Sequence, residues 1–223
     1  MTPLVSVIVP ILADREAAAR LIAQIPVDLR IEIIVAEAGS QPGLESLSRG
    51  RPDVVLIHTR RGRANQMTAA AGLARGDWLL FLHADSTLPE DWLEPFQAGA
   101  GNDIVGGWFR FALDDAAWQA RLIERGVAWR VRLLKLPYGD QGLFVRRSTF
   151  AELGGYQDIA LMEDVEFVRR LVNTGKVVEV PRAISTSARR WRRDGWFRRS
   201  ARNVTLLSLY FCGVPPRILA RWY

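Results

Sequence analysis

The sequence predicts an α/β fold built around a parallel sheet, and two observations carry the prediction. Through the first 90 residues, short β-branched runs alternate with segments of helical apolar spacing, at roughly 20 to 30 residues per unit. That rhythm requires right-handed crossovers between parallel strands. The whole chain, 223 residues, is 49% hydrophobic and 24% charged. This is globular composition, and it excludes disordered, collagen-like and low-complexity classes. The length suits one domain of about 200 residues, large enough to bury most of its apolar surface.

Each element follows from its residues. The run Val5 to Pro10 is β-branched, ends at proline, and reads as a strand buried on both faces. Ala17, Leu21, Ile22 and Ile25 then recur at helical spacing, so a helix is expected from Asp14 until Pro26 stops it. Ile31 to Val35 is a second buried strand, closed by the turn residues Gly39, Ser40, Pro42 and Gly43. Leu44 to Gly50 reads as a short helix and Asp53 to His58 as a third strand. Ala64 to Ala74 is an alanine-rich helix ending at Gly76, and Trp78 to Leu82 is a fourth strand.

The second half is less regular. Ile104 to Phe111 reads as a strand, and Ala116 to Leu136 as an amphipathic helix weighted with Trp118 and Trp129. Gly142 to Arg146 is another strand, followed by a Gly154-Gly155 turn and a helix from Glu163 to Asn173. Val177 to Val180 is a last short strand before Pro181, and two more segments follow, Arg189 to Arg202 and Val204 to Tyr223. With no repeat and no linker, one domain over residues 1–188 and a basic aromatic extension over 189–223 are expected.

Charge is distributed unevenly. The net charge is +6, but residues 189 to 221 hold nine arginines and one aspartate, leaving the rest of the chain at −2. Arginines interleaved with Trp191, Trp196 and Phe197 suit either a nucleic-acid patch or an anionic membrane surface. The apolar run from Val204 to Val214 is too short to span a bilayer of ~30 Å, so core helix, partner interface and in-plane membrane helix all stay open. A lone cysteine, Cys212, excludes an internal disulfide framework and a cysteine metal cluster. The apolar run Leu4 to Leu12 has no basic flank and meets Asp14, so no signal peptide is expected.

Ligands of open α/β sheets bind beyond the carboxyl ends of the strands. Those ends are Pro10, Glu37, His58 to Arg63, and His83-Ala84-Asp85. No G-x-G-x-x-G follows the first strand and no G-x-x-x-x-G-K-[ST] occurs, which disfavours the usual dinucleotide fold and P-loop NTPases. The strand ends offer acids instead. Asp85, placed after Leu79-Leu-Phe-Leu82, reads either as a ligand for a hard divalent cation or as a cap near Pro89. Glu163 and Asp164 open a helix, where they either serve its positive end or supply a general base. Spacing alone does not choose. Arg61 and Arg63 read as a solvated turn or as planar donors to a diphosphate.

Taken in order, these residues resemble family 2 glycosyltransferases of the GT-A fold. The matching stretches are Val5 to Pro10, Glu32 to Ser40, Ala74 to Asp85, Arg146-Arg147 with Gly154-Gly155-Tyr156, and Glu163-Asp164. The resemblance covers about residues 4 to 200. It lies nearest a small bacterial group with a His-Ala-Asp motif and a Gly-Asp-Gln-Gly stretch, often labelled as associated with radical-SAM or selenium-related domains. It implies a Rossmann-like nucleotide-binding half, an acceptor half and a mixed central sheet flanked by helices. Carried over by position, Pro10 lies beside the base and Glu37 contacts base and ribose; Arg63, by its place near these residues, is expected to pair with the donor diphosphate. Asp85, with His83, holds a divalent metal, Mn²⁺ or Mg²⁺. Asp164 is the base with Glu163 beside it, while Asp140 and Gln141 face the acceptor or donor sugar.

The implied reaction is inverting transfer from a UDP- or GDP-type sugar donor to a hydroxyl. Because the family uses lipid-linked acceptors, the resemblance also implies a cytoplasmic enzyme, peripheral on the inner membrane face, with nucleic acid disfavoured as a partner. The chain departs from the family pattern at Ala13, Ala38, Thr68 and Ala70, and most of all at His83, which replaces the first aspartate of Asp-x-Asp. A neutral imidazole suits Mn²⁺ better than Mg²⁺. Two other readings accompany this one: a degenerate GT-A domain that binds nucleotide or a partner, and a nucleotidyltransferase. The second would want a Gly-rich basic loop where Leu12 to Glu16 stands.

Overall fold

Three strands in the first half, Val5–Ile11, Ile31–Glu37 and Trp78–Phe81, are buried on both faces because helices cover them on both sides, while the edge strand Val54–His58 is partly exposed. A computed structural model describes residues 2–39, 43–97 and 103–223; the predicted turn residues Ser40 and Pro42 lie outside them. The first elements are β1 (Val5–Ile11), α1 (Arg15–Gln24), β2 (Ile31–Glu37), β3 (Val54–His58), α2 (Arg63–Leu73) and β4 (Trp78–Phe81). Val5, Val7, Val9 and Ile11 of β1 pack with Ala18, Leu21 and Ile22 of α1. Ile8, on the opposite face, packs with Ala64, Met67 and Ala70 of α2. The period of two along each strand divides the core into these layers.

The predicted first strand ends at Pro10, yet β1 continues to Ile11. The reason is local. The Ile8 carbonyl accepts from Leu82 N–H, so Pro10, two residues on, faces the side where β4 has already ended. A missing N–H costs no ladder bond there. The predicted helix at Leu44 is a single 3₁₀ turn, Leu44–Leu47.

The later elements are β5 (Ser86–Thr87), α3 (Glu94–Gln97), β6 (Ile104–Leu113), α4 (Trp118–Leu134), β7 (Phe144–Arg146), α5 (Arg147–Glu152), α6 (Glu163–Leu171) and β8 (Lys176–Thr186). Among the described residues, eight strands form one mixed sheet in the order β3-β2-β1-β4-β7-β6-β8-β5. β7 is antiparallel to both β4 and β6, and this reversal joins the two halves. Strand β8 does not stop at Pro181. Phe109 pairs with Val180 and Arg110 with Ala183, so Pro181 and Arg182 are absorbed as a bulge, a place where proline is tolerated.

The tail packs onto the body as α7 (Arg189–Asp194), α8 (Trp196–Phe211) and α9 (Pro216–Leu219). Its break falls at Gly195, in a positive-φ conformation, and Asn203 lies inside α8, so the segments predicted to divide there are one helix. Trp191, expected as a membrane anchor, is buried with Phe111, Leu113 and Ala120. Burial in that cluster removes it from any exposed surface. Leu206, Leu207 and Leu219 pack on Leu136, Met162 and Val165.

Candidate active site

The parallel strands β1 to β4 all end on one side of the sheet, and two groups of side chains gather there. The first lies at the ends of β1 and β2. Glu37 is fully buried, and its Oε2 stands 3.1 Å from Nδ1 of His58, the last residue of β3. Gln66 of α2 donates to the carbonyls of Ile11 and Ala36, each at 2.7 Å, and fixes these strand ends against the helix. Pro10 pairs in register with Ala36 beside them.

The second group is brought in by four separate elements. Arg63 begins α2, His83 follows β4, Asp140 lies in the turn Gly139–Gln141, and Glu163 with Asp164 opens α6. Arg63 Nη1 lies 3.3 Å from Glu163 Oε1. Asp164 joins two segments: its Oδ2 accepts from Gly139 N–H at 2.7 Å and its Oδ1 from Val165 N–H at 2.8 Å. Arg63, His83, Gly139, Tyr156, Glu163 and Asp164 line one small cavity with apolar walls from Met67 and Phe81. His83 Nε2, on a residue lining this cavity, is a buried polar atom with no hydrogen-bond partner among the described residues, and Asp140 Oδ1, on the turn that contributes Gly139 to the lining, is another. Buried polar atoms are normally paired, so an unpartnered one beside a cavity is a candidate ligand contact.

The electrostatics follow from burial and neighbouring charge. Burial, reinforced by Arg63 and Arg190, pushes the His83 imidazole well below its ordinary value, so it is neutral at pH 7. Burial raises the Asp140 carboxyl to about 6; Arg130 and Arg63 oppose the rise and Asp164 adds to it. Glu163 is raised by burial and by Asp164, against Arg63. For Arg63, burial works against the charge, but Glu163, Asp164, Tyr223 and Asp140 outweigh it and raise its pKa. Burial likewise pushes the Tyr156 phenol well above its usual range, with Asp164 and Glu163 adding to the effect.

Of the residues singled out by sequence, Arg63, His83, Asp140, Glu163 and Asp164 converge, while Pro10 and Glu37 form the neighbouring group. Gln141 points elsewhere. Its amide donates to Phe109 carbonyl at 3.2 Å, and its oxygen accepts from Tyr138 N–H and Arg130, so its side chain is turned away from the cavity that Gly139 lines. Asp85 is half-buried on the turn after β4, and Arg61 is exposed. Asp85 makes no hydrogen bond among the described residues, so it does not cap the Pro89 segment, where Trp92 N–H bonds to Pro89 carbonyl instead.

Sequence reasoning missed Arg190 and Gln66. Nothing distinguishes Arg190 within its arginine run, and only the docking of α7 brings its charge near His83. Gln66 had a signal: it is a polar residue on the apolar stripe of Ala64, Met67 and Ala70.

Among the described residues, no three His, Cys, Asp or Glu side chains stand close enough to enclose an ion by themselves. Asp85 and the unpartnered His83 Nε2 suit a hard cation that completes its shell with water and phosphate oxygens. The imidazole tilts that choice toward Mn²⁺.

A parallel half whose strand ends carry acids, joined through an antiparallel strand to a half that closes an acidic pocket, defines a GT-A domain. The chain belongs to glycosyl transferase family 2, whose model matches residues 6–154. No curated protein matches the sequence significantly. Among solved structures, the mannosyltransferase PcManGT from Pyrobaculum calidifontis, in complex with GDP-Man and Mn²⁺, is similar at 20% identity and a TM-score of 0.61, covering 83% of this chain and 57% of that one. S. aureus TarS 1-349 is similar at 13% identity and a TM-score of 0.65, covering 82% and 60%. Glucosyl-3-phosphoglycerate synthase from Mycobacterium tuberculosis, with Mn²⁺, UDP and phosphoglyceric acid, follows at 18% identity and 0.60, covering 96% and 80%. The chain thus spans 57% and 60% of the length of the first two. Among the described residues no helix is long and apolar enough to cross a membrane.

Proposed function

We propose that this chain transfers a sugar, with inversion, from a UDP- or GDP-type donor to an acceptor hydroxyl. The observation that carries the reading is one cavity of a family 2 domain that gathers Arg63, the unpartnered His83 Nε2, Glu163 and Asp164. Pro10 and Glu37 hold the base and ribose at the ends of β1 and β2. Asp164 takes the proton of the acceptor hydroxyl, whose oxygen then forms its bond to the anomeric carbon as the carbon–diphosphate bond breaks on the opposite face. Asp140 orients the sugar, and Glu163 holds Arg63 toward the diphosphate. Arg63 and Arg190 supply positive charge where negative charge develops, the effect that usually dominates such catalysis. Asp85 and His83 would hold a divalent ion, Mn²⁺ or Mg²⁺, which when bound neutralises charge on the leaving diphosphate.

In this reading residues 1–188 form the transferase domain and 189–223 an extension packed onto it. The acceptor stays open; a lipid-linked hydroxyl and a peripheral place on the cytoplasmic membrane face extend the reading from the family resemblance. The replacement of the first Asp-x-Asp acid by His83 favours one rival, a domain that binds nucleotide without turnover. Calorimetric titration with UDP and GDP, with and without Mn²⁺, followed by a donor-consumption assay, tests the proposal. Metal-strengthened binding with turnover supports transfer. Binding without turnover on any lipid or small hydroxyl acceptor favours the rival, and no binding overturns both.

A further inference from the structure

Helix α4 carries two apolar stripes, and only one of them is covered. Ala120, Ile123 and Val127 face Phe111, Leu113 and Trp191. The other stripe, Trp118, Leu122, Trp129 and Leu133, points outward with exposures of 64, 48, 62 and 69%. Its spacing is that of one helical face, so these are not scattered surface residues. Helix α8 lies alongside. The rings of Trp118 and Phe197 are 6.0 Å apart at one end, and Leu136 shares a cluster with Leu206 and Leu207 at the other. Phe197 and Val204 of α8 are exposed as well.

The charges on these two helices are one-sided. Arg125, Arg132 and Arg198 are exposed and make no ion pair among the described residues. The one acidic residue in the two helices is Glu124, and it is committed to Arg121 at 2.7 Å and to Leu113 N–H at 2.8 Å.

We propose that the outward face of α4, continued by Phe197 and Val204 of α8, docks on an anionic phospholipid bilayer. Tryptophan and leucine enter the headgroup–acyl boundary, and the unpaired arginines reach anionic headgroups with their stems along the apolar layer. Charge complementarity selects this occupant. A second copy of the chain would set these arginines against arginines without acids to answer them. Nucleic acid would use the arginines and leave Leu122 and Leu133 in water. The docking surface stands apart from the transfer reading, because it needs no donor and no turnover. If that reading also holds, the face lies next to the acceptor side, since Leu206 packs on Met162 and Val165, which flank Glu163 and Asp164.

The test is co-sedimentation with vesicles of phosphatidylcholine plus phosphatidylglycerol and with vesicles of phosphatidylcholine alone. It uses the full chain, a Trp129→Ser, Leu133→Ser variant and an Arg125→Glu, Arg132→Glu variant, each checked for an unchanged melting temperature. All these positions are exposed, so the changes remove no core contact, and Leu122→Ser serves as a milder second variant. Wild type should pellet with anionic vesicles, and both double variants should bind about tenfold more weakly or worse, one through lost apolar insertion and the other through lost and reversed charge. Undiminished pelleting of the serine variant overturns the proposal. So does a concentration-dependent dimer in sedimentation velocity that the serine variant abolishes, or binding to duplex DNA that the serine variant keeps while vesicles fail to bind wild type.

Discussion

Gly139 donates its amide to Asp164 Oδ2 over 2.7 Å, and this bond ties the loop after α4 to the first turn of α6. A β-carbon on Gly139 would stand 3.2 Å from His83 Nε2 and 3.5 Å from Asp164 Oδ2. The backbone there is not in the left-handed region, so Gly139→Ala should fold. The methyl would fill the pocket and shift His83 or Asp164 by a few tenths of an ångström. We expect transfer to fall by up to about 10²-fold with little change in melting temperature. Steady-state kinetics beside thermal unfolding check this; a variant with wild-type turnover would show that substrate does not occupy the space beside Gly139.

Asp164→Asn should reduce transfer by about 10²- to 10⁴-fold while donor binding persists, because a base on the acceptor side acts in the transition state. The amide keeps one acceptor oxygen but sets an NH₂ against Gly139 or Val165 N–H, so some stability is lost too. Donor affinity by calorimetry separates the two effects. Asp140→Asn is the companion variant, and if it has the larger kinetic effect the proton acceptor is Asp140.

Asp140 should also leave a signature in stability. Its folded pKa, about 6, lies above the ordinary 3.8. Between those values the folded protein keeps a proton that the unfolded chain has released, so stability falls as pH rises from about 4 to 6. Asp140→Asn removes that slope. The variant should match wild type below pH 4 and exceed it at pH 7 by about 2–3 kcal/mol, a difference of several degrees in melting temperature. Equal pH profiles for the two proteins would contradict the buried, ionisable assignment.

Asp85→Ala should abolish the increment that Mn²⁺ adds to UDP or GDP binding and leave the metal-free affinity near wild type. Chelation of wild type should reproduce the variant. Calorimetry with each nucleotide, with Mn²⁺ or with a chelator, reads both. If the variant binds nucleotide with Mn²⁺ as wild type does, Asp85 is not the ligand.

Much of the first half was legible in the chain because its strands are buried on both faces. Val5 to Val9 and Leu79 to Leu82 are apolar at every position but Ser6, and no helix of a small domain needs that. The acids at the strand ends were legible for a related reason: Glu37 and Asp85 follow apolar runs where a carboxylate is costly without a partner. The continuation of β8 past Pro181 was not legible, since a bulge depends on where β6 sits. Nor was the uninterrupted α8 through Asn203. Helical spacing on α4 announced an apolar face, but both its stripes have that spacing, and periodicity does not say which one a neighbour covers.

The sequence by itself determined the alternation of strands and helices, the side of the sheet on which the acids at the strand ends gather, and the order of the family's motifs. Those are local properties, written in burial pattern and residue type within a few turns of chain. Tertiary structure alone decided that Arg63, His83, Glu163 and Asp164 share one pocket while Gln141 turns inward to Phe109. It also decided that Trp191 is core and Trp129 is surface. The reason is physical: desolvation and Coulomb energy depend on which distant segments exclude water and bring charge together. The raised pKa of Asp140 therefore belongs to the surroundings that α2, α4 and α6 build around it.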